Sequence, residues 1–198
     1  MTPDVEQFLK AQLADFLAFR KALTQESDRG CALFAAAYLD KALSDLLYLS
    51  LVTDKRVEKD LFDGNAPLSA FSSRIKLAYY LGKISKECRA DLDTIRGIRN
   101  DFAHDARIIS FEDQSLADRC RNLQFSYHEK KDVRPRAHFT AATCGLLAMI
   151  QSTGLQSVAP TVKADDSPSE AAKVEARKQA LDALAEFEKL GKQRNSDA

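Results

Sequence analysis

The stretch SKECRADLDTIRGIRNDFAHD, residues 85–105, decides the fold because it specifies a complete amphipathic helix. Ser85 is a favourable N-cap residue, and Glu87 places a negative charge in the first turn, where it complements the helix dipole. Apolar side chains then recur at steps of three and four residues: Cys88, Leu92, Ile95, Ile98 and Phe102. We therefore expect one face of this helix to be buried and the other to carry polar groups.

The last eight residues of this stretch, the octet Ile98–Asp105, form a candidate site. Within two helical turns they supply a guanidinium, a carboxamide, a carboxylate and an imidazole: Arg99, Asn100, Asp101 and His104. Asn100 and His104 are four residues apart and share a face, with Arg96 one turn earlier on the same side. Arg99 and His104 lie about 140° apart around the axis, so they point in different directions.

The helical period recurs along most of the chain and predicts an all-α fold, a single multi-helix bundle. We expect a first helix capped by Thr2 and a second that opens near Thr24 and runs towards the turn at residues 63–67. Further elements follow in order: a helix from Leu68 to Gly82, the helix described above, a brief extended segment at residues 108–111, a short helix at 116–123 and a last core helix at 135–154. Residues 1–155 are predicted to be one helical domain.

The composition changes after this domain. Residues 156–168 are polar, contain two prolines and predict a linker. Ser169 and Glu170 belong to a capping-box pattern that opens a tail helix over residues 169–193, and residues 194–198 are predicted to be a disordered end. The apolar stripe of the tail helix is thin, so we expect this helix either to dock on another surface or to fray.

Composition limits the class of protein. Hydrophobic residues make up 45% and charged residues 29% of the 198 residues, as in globular proteins. No apolar run reaches the length of a membrane span, and the N-terminal residues do not resemble a signal peptide, so we expect a cytoplasmic protein. The four cysteines are dispersed and are predicted to be reduced and mostly buried. No phosphate-binding glycine loop, metal motif or cofactor motif is present, so neither a metal nor a cofactor is predicted.

The charge is balanced overall but uneven locally. The chain has 29 basic and 29 acidic residues, which is unusual for a protein that binds nucleic acid by itself. Residues 119–138 contain six basic and two acidic side chains, the basic ones being Arg119, Arg121, Lys130, Lys131, Arg134 and Arg136. This stretch either contacts phosphate or is a solvated connector. His128 and His138, in the same stretch, are expected to face solvent.

Five blocks of sequence, in order, resemble the mannitol operon repressor family. They are Glu26–Cys31 (ESDRGC), Ala35–Asp40 (AAAYLD), Leu61–Leu68 (LFDGNAPL), Arg74–Tyr79 (RIKLAY) and Arg99–His104 (RNDFAH). The resemblance spans roughly residues 5 to 155 and implies an all-helical repressor of genes for uptake and oxidation of mannitol. That family lacks an evident helix-turn-helix, and this sequence contains none. We therefore predict a regulator of transcription that forms a homodimer and is not an enzyme. It is expected to act through contacts with a protein or an effector, and not chiefly by direct DNA binding.

The last block also resembles the Arg-x4-His signature of HEPN domains. That resemblance implies a ribonuclease in which Arg99 stabilises charge on the phosphate, His104 acts as general base or acid on the ribose 2′-hydroxyl, and Asn100 orients one of them. Alternatively, the octet faces a dimer partner or a ligand.

A structural role for the same residues is the third interpretation. Arg99, Asn100 and Asp101 would then hydrogen-bond to the loop at residues 63–69, while His104 ends its helix. Asp28 and Arg29 have the same ambiguity. Asp28 suits the first turn of a helix, or the two residues pair across to Arg99 or Asp101.

Overall fold

The computed structural model describes residues 3–129 and 133–196, with side chains from residue 14 to residue 187 outside the same gap. Within these ranges the chain forms helices and no strand, which confirms the all-α prediction. The helices are α1 (Pro3–Gln25), α2 (Asp28–Ser50), α3 (Lys55–Phe62), α4 (Phe71–Tyr80), α5 (Lys86–His104), α6 (Gln114–Arg121), α7 (Pro135–Gln156) and α8 (Glu170–Ser196). Thr2, the predicted cap of α1, lies outside the described residues.

Helix α2 lies at the centre of the bundle and contacts α1, α4, α5 and α7. Its alanines Ala32, Ala35 and Ala36 are buried. Because these side chains are small, neighbouring helices pack close to the α2 backbone. A chain of aromatic rings then joins α5 to α7, since Phe111 lies 5.0 Å from the Phe102 ring and 4.9 Å from the Phe139 ring, centroid to centroid.

Helix α5 forms as the sequence predicts. The Ser85 hydroxyl accepts a hydrogen bond from the Cys88 N–H at 3.1 Å, and all five residues of the predicted apolar stripe are buried. Helix α4 also ends as predicted. Gly82 adopts a positive φ of 67°, and the Lys83 N–H donates to the Ala78 carbonyl at 2.9 Å. Glycine is favoured here because a Cβ is strained in this left-handed conformation.

Two local predictions are wrong. The second helix does not continue to residue 62, because α2 ends at Ser50 and a separate helix, α3, begins at Lys55. Asp54 caps α3 by accepting from the backbone N–H groups of Arg56 at 3.0 Å and Val57 at 3.2 Å. Residues 108–111 form a loop and not an extended strand-like segment, because their backbone groups bond to side chains of α2 and of the α6 cap.

The chain divides into two compact units, Met1–Pro160 and Thr161–Ala198. The second unit contains α8, and the Ser169 hydroxyl accepts a hydrogen bond from the Ala172 N–H at 3.2 Å near the start of that helix. Helix α8 continues past residue 193 to Ser196, so residues 194–196 are helical and not a disordered end. Among the described residues, no helix is both long and apolar enough to cross a membrane.

Candidate functional site at the end of α5

The C-terminal end of α5, the following loop and α6 enclose an open cleft of about 660 Å³. Its polar lining includes Asn100 and His104 from the octet, together with Asp113 and Arg119. Ile109 and Leu116 contribute apolar surface. Asn100 and His104 thus share a face, as their spacing predicts.

Three octet side chains have no partner in the part of the chain that the structure describes. Arg99, Asn100 and His104 make no side-chain hydrogen bond or ion pair there, and Arg99 does not line the cleft that contains His104. Arg99 and His104 therefore do not line the same cleft of a single chain. Among the described residues, the expected bonds of Arg99, Asn100 and Asp101 to the loop at residues 63–69 are not formed either.

That loop is held instead by Arg74, which sequence analysis did not single out as a site residue. Its Nε donates to the Leu68 carbonyl at 2.8 Å, and its Nη1 lies 2.8 Å from the Asp40 carboxylate. Arg74 and Asp40 each belong to a block that resembles the mannitol repressor family. Part of the resemblance therefore consists of residues that make this structural contact.

The other predicted residues on α5 are paired. Asp101 forms an ion pair with Arg119 of α6. Arg96 lies 3.5 Å from Asp93, one turn earlier, and it does not line the cleft with Asn100 and His104. The first pair joins α5 to α6, and the second lies within one turn of α5.

Asp28 lies in the first turn of α2, as the first of the two alternatives predicts. The second alternative is wrong, because Asp28 and Arg29 bind the loop after α5 and do not pair with Arg99 or Asp101. The Asp28 carboxylate accepts from the Phe111 N–H at 3.0 Å and from Arg136 Nη1 at 2.9 Å. Arg29 Nη2 donates to the carbonyls of Asp105 at 2.8 Å and Arg107 at 3.3 Å. The start of α2 is therefore a structural junction.

Most of the described arginines of the basic stretch contact carboxylates of the same chain. Arg119 pairs with Asp101, Arg121 lies 3.6 Å from Asp118, and Arg136 binds Asp28 as well as the Leu23 carbonyl at 3.0 Å. Arg134 is exposed. Lys130 and Lys131 lie outside the described residues.

His138 is fully buried, so the expectation that it faces solvent is wrong; His128 is half-buried. His138 Nδ1 lies 3.1 Å from the Ser126 hydroxyl, and its Nε2 has no partner among the described residues. Burial lowers the pKa of His138 below its usual value of 6.5, and the charges of His128 and Arg121 lower it further. The neutral imidazole is therefore the favoured form.

All four cysteines are buried and unpaired, and no group of side chains in the described part of the chain could hold a metal ion. Burial raises the pKa of the thiols of Cys31, Cys88 and Cys120 to about 12. These thiols are protonated near neutral pH and are poor nucleophiles.

A separate, more apolar groove of about 370 Å³ lies between α2 and α7. Tyr38, Leu49 and Leu147 contribute to its walls, and it contains none of the predicted site residues. In contrast to this groove, the cleft beside α5 is lined by residues of the octet.

The fold and the cleft define the class of protein as an all-α bundle with an open polar recess, built around α2 and α5. Residues 21–159 match the family model described as "Mannitol repressor". The chain belongs to this family, as its sequence pattern predicts. No curated protein sequence matches the chain.

The fold is similar to a solved structure described as the X-ray structure of the MtlR-HPr complex from Escherichia coli. The two chains share 20% sequence identity with a TM-score of 0.59, and the match covers 69% of this chain and 98% of the other. This comparison supports the helical architecture. The resemblance of the octet to HEPN domains stays a prediction.

Proposed function

We propose that this chain is a cytoplasmic repressor of genes for mannitol uptake and utilisation, and that it acts by contacting a protein partner. The match of residues 21–159 to the mannitol repressor family carries the proposal. The partner we propose is HPr, because the similar Escherichia coli structure is a complex with HPr and nearly all of that chain corresponds to this fold.

The distribution of charge supports a protein contact over direct DNA reading. The net charge is zero, and Arg119, Arg121 and Arg136 already face carboxylates of the same chain. A phosphate group would have to compete with these carboxylates for the guanidinium groups. Weak, salt-sensitive DNA binding is the expected consequence.

The test combines two binding measurements on the full chain. HPr from the same organism is titrated into the protein in a calorimeter, and operator DNA is assayed by mobility shift, both at about 150 mM salt, where weak phosphate contacts fade. We expect saturable HPr binding and no sequence-selective shift. A selective shift without any HPr binding would contradict the proposal.

A ribonuclease is the second candidate function, favoured by the absence of partners for Arg99, Asn100 and His104 among the described side chains. Since Arg99 lies outside the cleft that contains His104, such a site would combine residues of two copies. RNA cleavage by the wild type is compared with cleavage by His104→Ala, with folding checked by circular dichroism. Cleavage lost in the folded variant would support this candidate, and no cleavage by the wild type would eliminate it.

A further inference from the structure

A run of positive charge covers α4 and the turn into α5. Residues 64–86 contain four basic residues and no acidic one, although the whole chain is neutral. Arg74 is paired with Asp40, whereas Lys76, Lys83 and Lys86 have no carboxylate partner among the described residues. Three lysine charges are therefore concentrated where α4 and α5 meet.

Two tyrosine rings lie on the same surface as these lysines. Tyr79 and Tyr80 end α4, and Lys76 lies one turn earlier, between them around the helix axis. Tyr80 is 89% exposed. The Arg89 guanidinium lies 4.5 Å from the centroid of the Tyr79 ring, and this cation–π contact joins α5 to α4. We call this surface the α4–α5 corner; it consists of Lys76, Tyr79, Tyr80, Lys83, Lys86 and Arg89.

Glu87 is the carboxylate that lies next to these cations in the sequence. It accepts hydrogen bonds from its own backbone N–H and from Ser85, and these bonds lower its pKa below the usual value. Lys83 is half-buried, with its Nζ 3.4 Å from the Ser157 hydroxyl. Four cations thus face one carboxylate, so the corner has a net positive charge.

Cations beside exposed aromatic rings favour an anionic partner that can also stack on the rings. Nucleic acids supply both groups, because their phosphates attract lysine and arginine and their bases stack on aromatic side chains. An acidic protein fits less well, since lysine is depleted in protein–protein interfaces. A duplex hides the faces of its bases, so a ring such as that of Tyr80 requires an unpaired strand.

We propose that the α4–α5 corner binds single-stranded RNA, with a base stacked on Tyr80 and phosphates beside Lys76 and Lys86. RNA is the nucleic acid that proteins recognise mainly through unpaired bases, whereas cellular DNA is mostly double-stranded. Binding by stacking and charge depends little on base sequence. It is therefore consistent with the absence of a sequence-selective operator shift.

The inference is independent of both candidate functions. It does not involve HPr, and the corner is remote from the octet. Lys86 and His104 begin and end α5, about 27 Å apart at a rise of 1.5 Å per residue. RNA binding at the corner without cleavage, or cleavage that does not depend on the corner, would thus separate the two proposals.

Fluorescence anisotropy of the full chain with labelled oligouridylate of about 12 nucleotides tests the proposal. We expect saturable binding that weakens as salt rises from about 50 to 200 mM. Unlabelled oligouridylate should compete better than an RNA hairpin duplex or polyglutamate. Absence of binding, or equal competition by the duplex or by polyglutamate, would overturn the proposal. Tighter binding of the corresponding oligodeoxyuridylate would overturn the assignment to RNA.

Tyr80→Leu and Tyr127→Leu are a matched pair of variants. Tyr80→Leu keeps an apolar group and removes the ring, so it should weaken binding about 10-fold, whereas Tyr80→Phe keeps the ring and should bind as the wild type does. Tyr127 is 70% exposed, lies in the basic stretch and is outside the corner, so Tyr127→Leu should change nothing. Equal weakening by the two leucine variants, or weakening by Tyr80→Phe, would contradict stacking at the corner.

Lys76→Gln and Lys86→Gln test the phosphate contacts. Each should reduce the slope of log K against log salt by about 0.7, as the loss of one contact to a single strand does. Lys21→Gln is the control, because it makes the same charge change on α1, which among the described residues contacts α2 and α7 but neither α4 nor α5. All three lysines are exposed, so the variants should fold, as circular dichroism would verify. An equal reduction in Lys21→Gln would overturn the proposal.

Discussion

Two polar clusters in this bundle look alike in sequence and differ in structure. At the start of α2, Asp28 and Arg29 bond to Arg136 and to the backbone of the loop after α5. At the end of α5, Arg99, Asn100 and His104 have no hydrogen-bond or ion-pair partner among the described residues. The first cluster therefore contributes to stability, and the second leaves its hydrogen-bonding groups available for other molecules.

Asp28→Ala should have the largest effect on stability. It removes the partner of Arg136 and leaves the Phe111 N–H without its acceptor, and losses of this kind cost about 2–3 kcal/mol. Urea denaturation measures the change. Asp118→Ala is the control, because its carboxylate contacts Arg121 and Gln114 on the exposed surface of α6, and these contacts should contribute about 1 kcal/mol or less. Equal losses in the two variants would contradict a structural role for Asp28.

Arg29→Ala should have the next largest effect. The loop loses two hydrogen bonds from one guanidinium, and we expect a loss of about 1–2 kcal/mol in the free energy of unfolding. Amide hydrogen exchange at residues 105–110 should accelerate more than exchange in α4. Unchanged exchange in this loop would show that Arg29 does not fix it.

His138 should make stability depend on pH. Its folded-state pKa lies below the usual value of 6.5, so the unfolded chain binds the proton more readily. The free energy of unfolding should therefore fall as pH drops below about 6.5 and level off below the folded-state pKa. His138→Gln should reduce this slope in denaturation curves recorded between about pH 7.5 and 5. An identical slope in both proteins would exclude His138 as its source.

Asp101→Asn should have the smallest effect. The ion pair with Arg119 is partly exposed, with side-chain accessibilities of 48% for Asp101 and 35% for Arg119, so we expect a loss of about 0.5 kcal/mol. High salt should reduce the difference from the wild type, because screening weakens exposed pairs. If the free energy of unfolding fell as much as in Asp28→Ala, Asp101 would stabilise the fold as strongly as Asp28 does, which would contradict this account.

Local signals predicted much of the fold. The Ser85 cap, the apolar stripe of α5 and the glycine at Gly82 each depend on residues only a few positions away in the sequence. The sequence pattern is therefore sufficient to predict these three features. The break between α2 and α3 was missed although Asp54 is a favourable N-cap residue, because apolar residues continue through Leu51 and Val52.

Contacts between distant residues were not predictable from the pattern. Asp28 and Arg136 are 108 residues apart, and their pairing depends on how α2 and α7 pack. The burial of His138 likewise depends on which face of α7 meets the loop that contains Ser126. The candidate site was predicted only in part, since Asn100 and His104 were identified whereas Asp113 of the cleft was not.

The most direct test of the difference between the two clusters is the free energy of unfolding of the triple variant Arg99→Ala, Asn100→Ala and His104→Ala. Surface substitutions without partners usually change stability by no more than about 0.5 kcal/mol each. We predict a total loss smaller than that caused by Asp28→Ala alone. A larger loss would contradict the account, because it would show that the octet side chains stabilise the fold.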